Sequence, residues 1–296
     1  MKNLNRLFVS LLLLSGCGDP LAPPWLIDKP RVLGARIEAT SEPARPWLRP
    51  GEMAEVKWLV VAPDGAPPMR WAFALCLPGP RGDCAAPLAT MSGDGTPVLS
   101  FALPPADQLG AASKLVLAGV FCAGGAPTLG ASGPGCEGMA TATVVILPLP
   151  LDRGETNHNP SLAAATFTAS GAPWPAGDDC AQLPHLPADG AVHPIAVTLA
   201  GQRELYQSIA NAEGAPTERR ESLQLSHFTT AGKLPRQLSF IEGADDPATL
   251  SIDWTAPPAA EVPAAGLAVR FFFVARDLRG GLDWQSRTLC VTPPQP

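Results

Sequence analysis

Seven cysteines are the residues of this chain whose chemistry is easiest to read. Cys17 stands apart, near the N-terminus. The other six are spread along the rest of the chain, at Cys76, Cys84, Cys122, Cys136, Cys180 and Cys290. An even number of cysteines in an exported chain favours three disulfides, with several pairings possible. Zinc binding is the competing interpretation, but the sequence has no Cys-x-x-Cys pair and no Cys/His cluster at ligand spacing. We therefore expect disulfides and no metal site.

The residues before Cys17 have the pattern of an export signal. Lys2 and Arg6 give a short basic segment, an apolar run follows, and Leu14-Ser15-Gly16-Cys17 ends it. The run is too short to span a bilayer as a stable helix. The tetrapeptide resembles the lipobox of bacterial lipoproteins, in which signal peptidase cuts before the cysteine and the new N-terminus is acylated. The resemblance implies a signal peptide over 1–16 and a lipid on Cys17. An ordinary secretory signal or an uncut anchor is the alternative.

The same resemblance implies a location in the cell envelope. Gly18 follows the cysteine and lacks the aspartate that retains lipoproteins in the inner membrane of enteric bacteria, so the outer membrane of a Gram-negative bacterium is implied. Removing Lys2 and Arg6 with the signal leaves 19 basic residues against 27 acidic ones, a net charge of −8. An acidic balance disfavours nucleic acid as a partner. The expected partners are the membrane, through the lipid, and an unidentified envelope protein or polysaccharide.

Proline-rich stretches divide the mature chain into parts. Residues 17–30 contain four prolines and are predicted to form a tether of roughly 40 Å in a polyproline conformation. A second proline-rich stretch at 147–150 leads into a polar linker at 151–160. The segments 31–150 and 161–296 are each long enough to build a core of their own. The sequence therefore predicts two domains.

Both halves alternate apolar and polar residues with a period of two and show no long helical period. The strands predicted in the first half are 31–40, 52–62, 69–77, 97–103, 113–122 and 139–148. Those predicted in the second half are 161–169, 192–200, 221–230, 235–241, 248–255, 267–277 and 282–292. The clearest strand places Leu250, Ile252 and Trp254 on its buried face. This pattern predicts an all-β fold.

The number and spacing of the strands are typical of immunoglobulin-like sandwiches. Segment 254–281 is similar to the last strands of bacterial Ig-like and PKD-like extracellular modules. With residues 31–38 and Pro50-Gly51-Glu52, the chain resembles uncharacterised two-domain lipoproteins of high-GC Gram-negative bacteria. The resemblance implies two tandem Ig-like β-sandwich domains and carries no activity with it.

An Ig-like topology narrows the cysteine pairing. If 69–78 and 113–122 are antiparallel neighbours, as in an Ig sandwich, Cys76 and Cys122 lie at opposite ends of the sheet and cannot bond. Local pairs then become possible. The pairing that we favour, with others left open, is Cys76–Cys84, Cys122–Cys136 and Cys180–Cys290.

Two short motifs suggest adhesion. Arg81-Gly82-Asp83 lies between two cysteines and resembles an integrin-binding display, yet all three are ordinary turn residues, and we interpret the segment as a disulfide-closed surface turn. Four acidic or amide residues gather at the predicted linker, namely Asp152, Glu155, Asn157 and Asn159. Calcium needs several carboxylates at defined spacing, and Arg153 interrupts this group. A solvated linker is favoured, with a calcium- or carbohydrate-dependent adhesion module as the alternative.

Catalytic patterns are absent from the sequence. The four histidines are His158, His185, His193 and His227. They accompany no Gly-x-Ser-x-Gly motif, no phosphate loop and no recognisable pair of carboxylates. We expect no catalytic residue and no cofactor, with a hydrolase of unrecognised site as the alternative.

A long connection at 201–220 is the candidate binding loop. It offers charge and the single tyrosine of the chain, and it can hold a short helix ended by Gly214. Its candidate binding residues are Arg203, Glu204, Tyr206, Arg219 and Arg220. We expect the sandwich not to need this segment for stability, and the alternative is a tolerated insertion packed on the sheet edge. Together these patterns predict a non-enzymatic envelope lipoprotein that binds or scaffolds another envelope component.

Overall fold

A computed structural model describes most of the chain after the predicted signal. The described residues are 22–65, 69–95, 97–130, 133–138, 141–152, 154, 157–201, 203–208, 216–242 and 248–293. This part of the chain is all-β, as predicted: its strands form sheets that are antiparallel except for one parallel pair, and one four-residue helix and two short 3₁₀ turns complete it.

The first half forms two packed sheets. Its elements are β1 (Arg31–Ala39), β2 (Met53–Val61), β3 (Arg70–Pro78), β4 (Cys84–Asp94), β5 (Val98–Ala102), α1 (Ala106–Leu109), β6 (Lys114–Cys122), β7 (Pro127–Gly130), β8 (Gly133–Cys136) and β9 (Ala142–Pro150). One sheet has the order β1-β2-β5 and the other β4-β3-β6-β9, while β7 and β8 form a separate hairpin. Inward residues of both sheets share one core, in which Trp58 stacks on Phe73 with ring centroids 5.2 Å apart.

The second half repeats this arrangement. Its strands are β10 (Thr166–Ala169), β11 (Ala172–Pro173), β12 (His185–Pro187), β13 (Val192–Thr198), β14 (Leu205–Ser208), β15 (Thr217–Arg220), β16 (Leu223–Thr229), β17 (Leu238–Ile241), β18 (Thr249–Thr255), β19 (Leu267–Arg276) and β20 (Leu282–Thr292). The sheets β11-β10-β13-β18 and β12-β20-β19-β16-β17 enclose a second core, and β14 and β15 form a hairpin. Trp254 is fully buried there and meets Phe271 edge to face at 5.3 Å.

The two sandwiches pack against each other through apolar side chains, and we call this contact the seam. Its buried residues are Ile27, Leu33, Val61, Phe228, Phe272, Val274 and Leu282. At Gly34 a Cβ atom would come within 2.7 Å of the Leu282 side chain, so the absence of a side chain lets β1 approach β20. Burial of aromatic and aliphatic groups favours a fixed arrangement of the two units.

The predicted tether is only partly a tether. Leu26 forms a parallel bridge with Thr229, whose backbone N–H donates to Trp25 O at 3.0 Å. Ile27 is fully buried at the seam and donates its N–H to Thr229 O at 2.9 Å. The end of segment 17–30 is therefore packed on the second sandwich, because Trp25 and Ile27 are large apolar residues that gain from burial.

Three disulfides are present, with the favoured pairing. They join Cys76 to Cys84, Cys122 to Cys136 and Cys180 to Cys290. The reason given from topology also holds, because β3 and β6 are antiparallel neighbours in which Arg70 faces Cys122 and Cys76 faces Val116.

Candidate functional site

The predicted lipidation residue, Cys17, lies outside the described residues, as does the signal peptide. Within the described part of the chain, no helix is both long enough and apolar enough to span a membrane. Among the described residues, Trp25 is the first whose side chain packs against the body. It stands eight positions after Cys17 in the sequence.

The Arg81-Gly82-Asp83 motif forms the turn between β3 and β4. Gly79 donates its N–H to Asp83 O at 2.8 Å, and Gly82 donates to Gly79 O at 2.9 Å. Gly82 has a φ of 76°, in the region that favours glycine. The Cys76–Cys84 disulfide closes the turn. The motif thus has the local bonding of a tight surface turn.

The polar residues of the predicted linker do not converge on one point. Asp152 accepts from Arg49 at 2.7 Å and from Gly154 N at 2.8 Å, and these two bonds outweigh its burial and lower its pKa. Asn157 donates to Asp277 at 2.8 Å. Asn159 reaches across the seam, where it donates to Ile37 O at 2.8 Å. Glu155 lies outside the described residues. In the described ranges, no three His, Cys, Asp or Glu side chains form a metal-binding group.

The candidate binding loop is a hairpin joined to the body, which favours the alternative of an insertion packed on the sheet edge. Arg279 lies over the Tyr206 ring at 4.2 Å and over the Trp47 ring at 5.1 Å. Glu204 pairs with Arg279 at 3.4 Å, and its carboxylate also contacts the His158 ring. The short helix expected within 201–214 is wrong for Leu205–Ser208, which form strand β14, while 202 and 209–214 lie outside the described residues. These contacts give Glu204 and Tyr206 a structural role, because both are bound to the body.

The three arginines of the hairpin have different surroundings. Arg203 donates to Glu221 O at 2.9 Å and to Ile241 O at 3.3 Å. Arg220 donates to Arg203 O at 3.1 Å, so it is held by the backbone beside it. Arg219 is exposed. Of the five candidate residues, Arg219 is therefore the one that faces solvent most openly.

A cavity of about 240 Å³ lies at the base of this hairpin, and we call it the Glu221 cavity. Arg203, Arg220 and Glu221 supply its charged side chains, and Leu223 and Ile241 are among its apolar ones. The Glu221 side chain is buried, and its Oε1 atom has no hydrogen-bond partner among the described residues. A buried carboxyl oxygen without a partner is rare in folded proteins and calls for an explanation.

The acidity of Glu221 is strongly altered by these surroundings. Burial is the largest cause, and the nearby negative charges of Asp277 and Glu204 act in the same direction, raising the pKa to about 8. Arg279 lowers it by a smaller amount. Glu221 therefore carries its proton at neutral pH. A cavity lined by a group of shifted pKa is a common feature of binding sites.

A second concavity lies on the outer face of the first sandwich, and we call it the outer groove. It measures about 690 Å³ and runs between the β7–β8 hairpin and the sheet β4-β3-β6-β9. Ala74, Ala118 and Leu129 line its floor, while Val144 and Ile146 on β9 are 53% and 54% exposed. Contiguous apolar side chains left exposed on a surface are a mark of binding sites.

A third arrangement involves a serine, a histidine and an aspartate. Ser170 Oγ lies 3.1 Å from His193 Nδ1, and His193 Nε2 lies 3.4 Å from Asp189 Oδ1. The order of groups is that of a nucleophile, a base and an orienting acid. However, Ser170 and Asp189 are both exposed, and Asp189 accepts a shorter bond from Ala191 N at 2.8 Å. That backbone bond is the main cause of the lowered pKa of Asp189.

Comparison with known proteins assigns the chain to no family: no protein-family model and no curated protein matches it.

The sequence analysis predicted neither the Glu221 cavity nor the outer groove. The outer groove had a signal, because residues 144–147 are apolar on both faces of the strand, beyond what one core-facing side requires. Glu221 had none, since it follows Thr217-Glu218-Arg219-Arg220, a run typical of an exposed face.

Proposed function

We propose that this chain is a lipid-anchored, non-enzymatic binding protein of the bacterial cell envelope, and that its outer groove receives an apolar segment of another envelope component. The observation that carries the proposal is the exposure of Val144 and Ile146 beside that groove. Because each side chain is about half exposed, leaving it in water forgoes half of the roughly 1.5–3 kcal/mol that full burial provides. A partner that covers them recovers this free energy.

The framework around the groove supports a binding role. The Cys76–Cys84 disulfide lies at one end, and Cys122–Cys136 ties the β7–β8 hairpin to the adjacent strand. These covalent links restrict the movement of the groove wall. A surface that is ordered before binding loses less entropy when a partner docks.

The N-terminal packing also fits an anchored protein. Trp25 stands eight positions after Cys17, and a fully extended chain of that length reaches at most about 30 Å. A lipid on Cys17 would hold the body close to the membrane, within reach of other membrane-bound components. Fatty-acid labelling of the wild type and of Cys17→Ser tests this part, and equal labelling of the two proteins would contradict it.

Site-specific crosslinking tests the groove. A photoreactive amino acid at Ile146 should capture a partner in the native envelope, and Val144→Lys should abolish that capture without changing the melting temperature. The matched control places the photoreactive residue at Val192, which is 58% exposed on the second sandwich. Equal capture from both positions would place the binding surface away from the groove.

A hydrolase is the second candidate, favoured by the contacts of His193 with Ser170 and Asp189. Its test is a broad ester and amide substrate screen with Ser170→Ala and His193→Ala. Activity that both substitutions abolish would support a hydrolase. His185→Ala is the control, because that imidazole bonds Cys180 O at 2.7 Å, outside this group.

A further inference from the structure

The Glu221 cavity combines a charged end and an apolar wall in a small volume. Its volume is about 240 Å³, well above what a single water needs. That volume fits a small organic molecule and is too small for a folded segment. Leu162, Leu199, Leu223 and Ile241 supply the apolar wall. A ligand suited to both regions has one polar head and a short hydrocarbon body.

The charged end favours an anion. Arg203 and Arg220 both line the same space, and the bonds of their guanidinium groups to backbone carbonyls fix where those groups lie. A guanidinium pairs with carboxylate and phosphate oxygens in a planar geometry. A cationic head would meet two positive charges here.

Glu221 narrows the choice among anions. Its side chain lines the cavity and is only 4% exposed, and its Oε1 atom is enclosed without a partner among the described residues, so the carboxyl group has to turn toward the cavity for a ligand to bond it. Glu204 and Asp277 add negative charge nearby, which opposes a doubly charged phosphate more than a singly charged carboxylate. We propose that the Glu221 cavity binds a small organic monocarboxylate, held between Glu221 and the Arg220 guanidinium, with its apolar body against Leu223 and Ile241.

The protonation state of Glu221 supports this chemistry. Burial, with the charges of Asp277 and Glu204, raises its pKa to about 8, while Arg279 acts in the opposite direction. At neutral pH the protonated carboxyl group donates a hydrogen bond to the ligand carboxylate. Above pH 8 Glu221 ionises and two carboxylates would repel each other. Binding should therefore weaken as the pH rises through 8.

Calorimetry on the purified full chain tests the proposal. The probes are propionate, butyrate and pentanoate, each compared with the amine and the alcohol of equal length. The carboxylates should bind at least about tenfold more tightly than the amines and alcohols at pH 6.5, and about tenfold more weakly at pH 9.5 than at pH 6.5. Equal affinity for the amine, or no binding by any carboxylate at millimolar concentration, would overturn the proposal.

Three variants locate the binding. Arg220→Gln should weaken carboxylate binding about tenfold, while Arg219→Gln, on the exposed side of the same hairpin, should leave it unchanged. Glu221→Gln keeps a donor and cannot ionise, so it should bind at pH 6.5 and lose the weakening at pH 9.5. Carboxylate binding that survives unchanged in Arg220→Gln would place the ligand elsewhere.

A measurement on the unsubstituted chain guards against variants that fail to fold. The ¹³C resonance of the Glu221 carboxyl carbon should titrate near pH 8, and its midpoint should rise when butyrate is added, because the bound anion stabilises the proton. A midpoint that butyrate does not move would contradict the proposal.

Discussion

Arg36 on β1 and Asp283 on β20 lie 2.8 Å apart, and this ion pair joins the two sandwiches across the seam. Arg36 also pairs with Glu38 at 2.7 Å, which in turn accepts from Lys57 at 2.7 Å. These bonds outweigh the burial of Glu38 and lower its pKa. The apolar residues of the seam supply the contact area, and this charged chain fixes the orientation, since ion pairs depend on geometry more strongly than apolar contacts.

Asp283→Ala should destabilise the protein by about 1–3 kcal/mol, because it leaves Arg36 with one partner fewer and removes the acceptor of Leu162 N–H. Urea unfolding at pH 7 measures the change. Asp253→Ala, at an exposed position on β18, is the control and should stay within about 0.5 kcal/mol. Equal effects of the two substitutions would show that the seam pair contributes nothing specific.

Glu221→Gln should change how the free energy of unfolding depends on pH between 4.5 and 8. The pKa of Glu221 is raised from 4.5 to about 8, so the native state holds a proton that the unfolded state releases. The wild type should therefore lose stability between pH 4.5 and 8, on the order of 5 kcal/mol in total. The glutamine variant lacks this loss and should be the more stable protein at pH 9. Parallel slopes for both proteins between pH 6.5 and 9 would contradict the assignment.

His227 should lower the stability of the protein as the pH falls below 6.5. Burial lowers the pKa of His227 from 6.5 to about 3, and the positive charge of Arg236 contributes to the same shift. Below pH 6.5 the unfolded state takes up a proton that the native state refuses, so stability falls on acidification. His227→Leu should reduce the loss between pH 6.5 and 4.5 by about 2–3 kcal/mol. Urea unfolding at both pH values measures this, and a loss as large as that of the wild type would refute it.

The Tyr206 ring should contribute to stability through Arg279, whose guanidinium lies 4.2 Å from its centroid. Tyr206→Ala should cost about 1–2 kcal/mol, whereas Tyr206→Phe keeps the ring and should cost little. Arg219→Ala on the neighbouring strand is the control for general effects on the hairpin. Differential scanning calorimetry measures all three. If Tyr206→Ala were as stable as the wild type, the sandwich would not need this hairpin for stability, as the sequence predicts.

Strands that bury one face were predictable, and those without a buried face were not. Alternation placed Ile252 and Trp254 inside, and both are buried. β4 was missed because it is an edge strand whose residues are mostly exposed, so no burial pattern marks its sequence. β12 pairs in parallel with β20, a contact between segments far apart in the chain that no local pattern encodes.

The candidate site was less predictable, for the same physical reason. The burial of Glu221 depends on a hairpin that Arg279 holds to the body from more than 50 residues away. Local sequence reports propensity and periodicity, and neither contains such a contact. The outer groove could have been predicted from the sequence, because apolar residues on both faces of β9 indicate either a second covering layer or a binding surface.

The three disulfides have a consequence for biogenesis. Ordered along the chain, they join the second cysteine to the third, the fourth to the fifth and the sixth to the seventh. A chain that emerges N-terminus first into an oxidising compartment and is oxidised in order of appearance therefore acquires the native set directly. Such a protein needs an oxidase and no isomerase. Because the last pair encloses most of the second sandwich, it can form only after residues 180–290 have all been translocated.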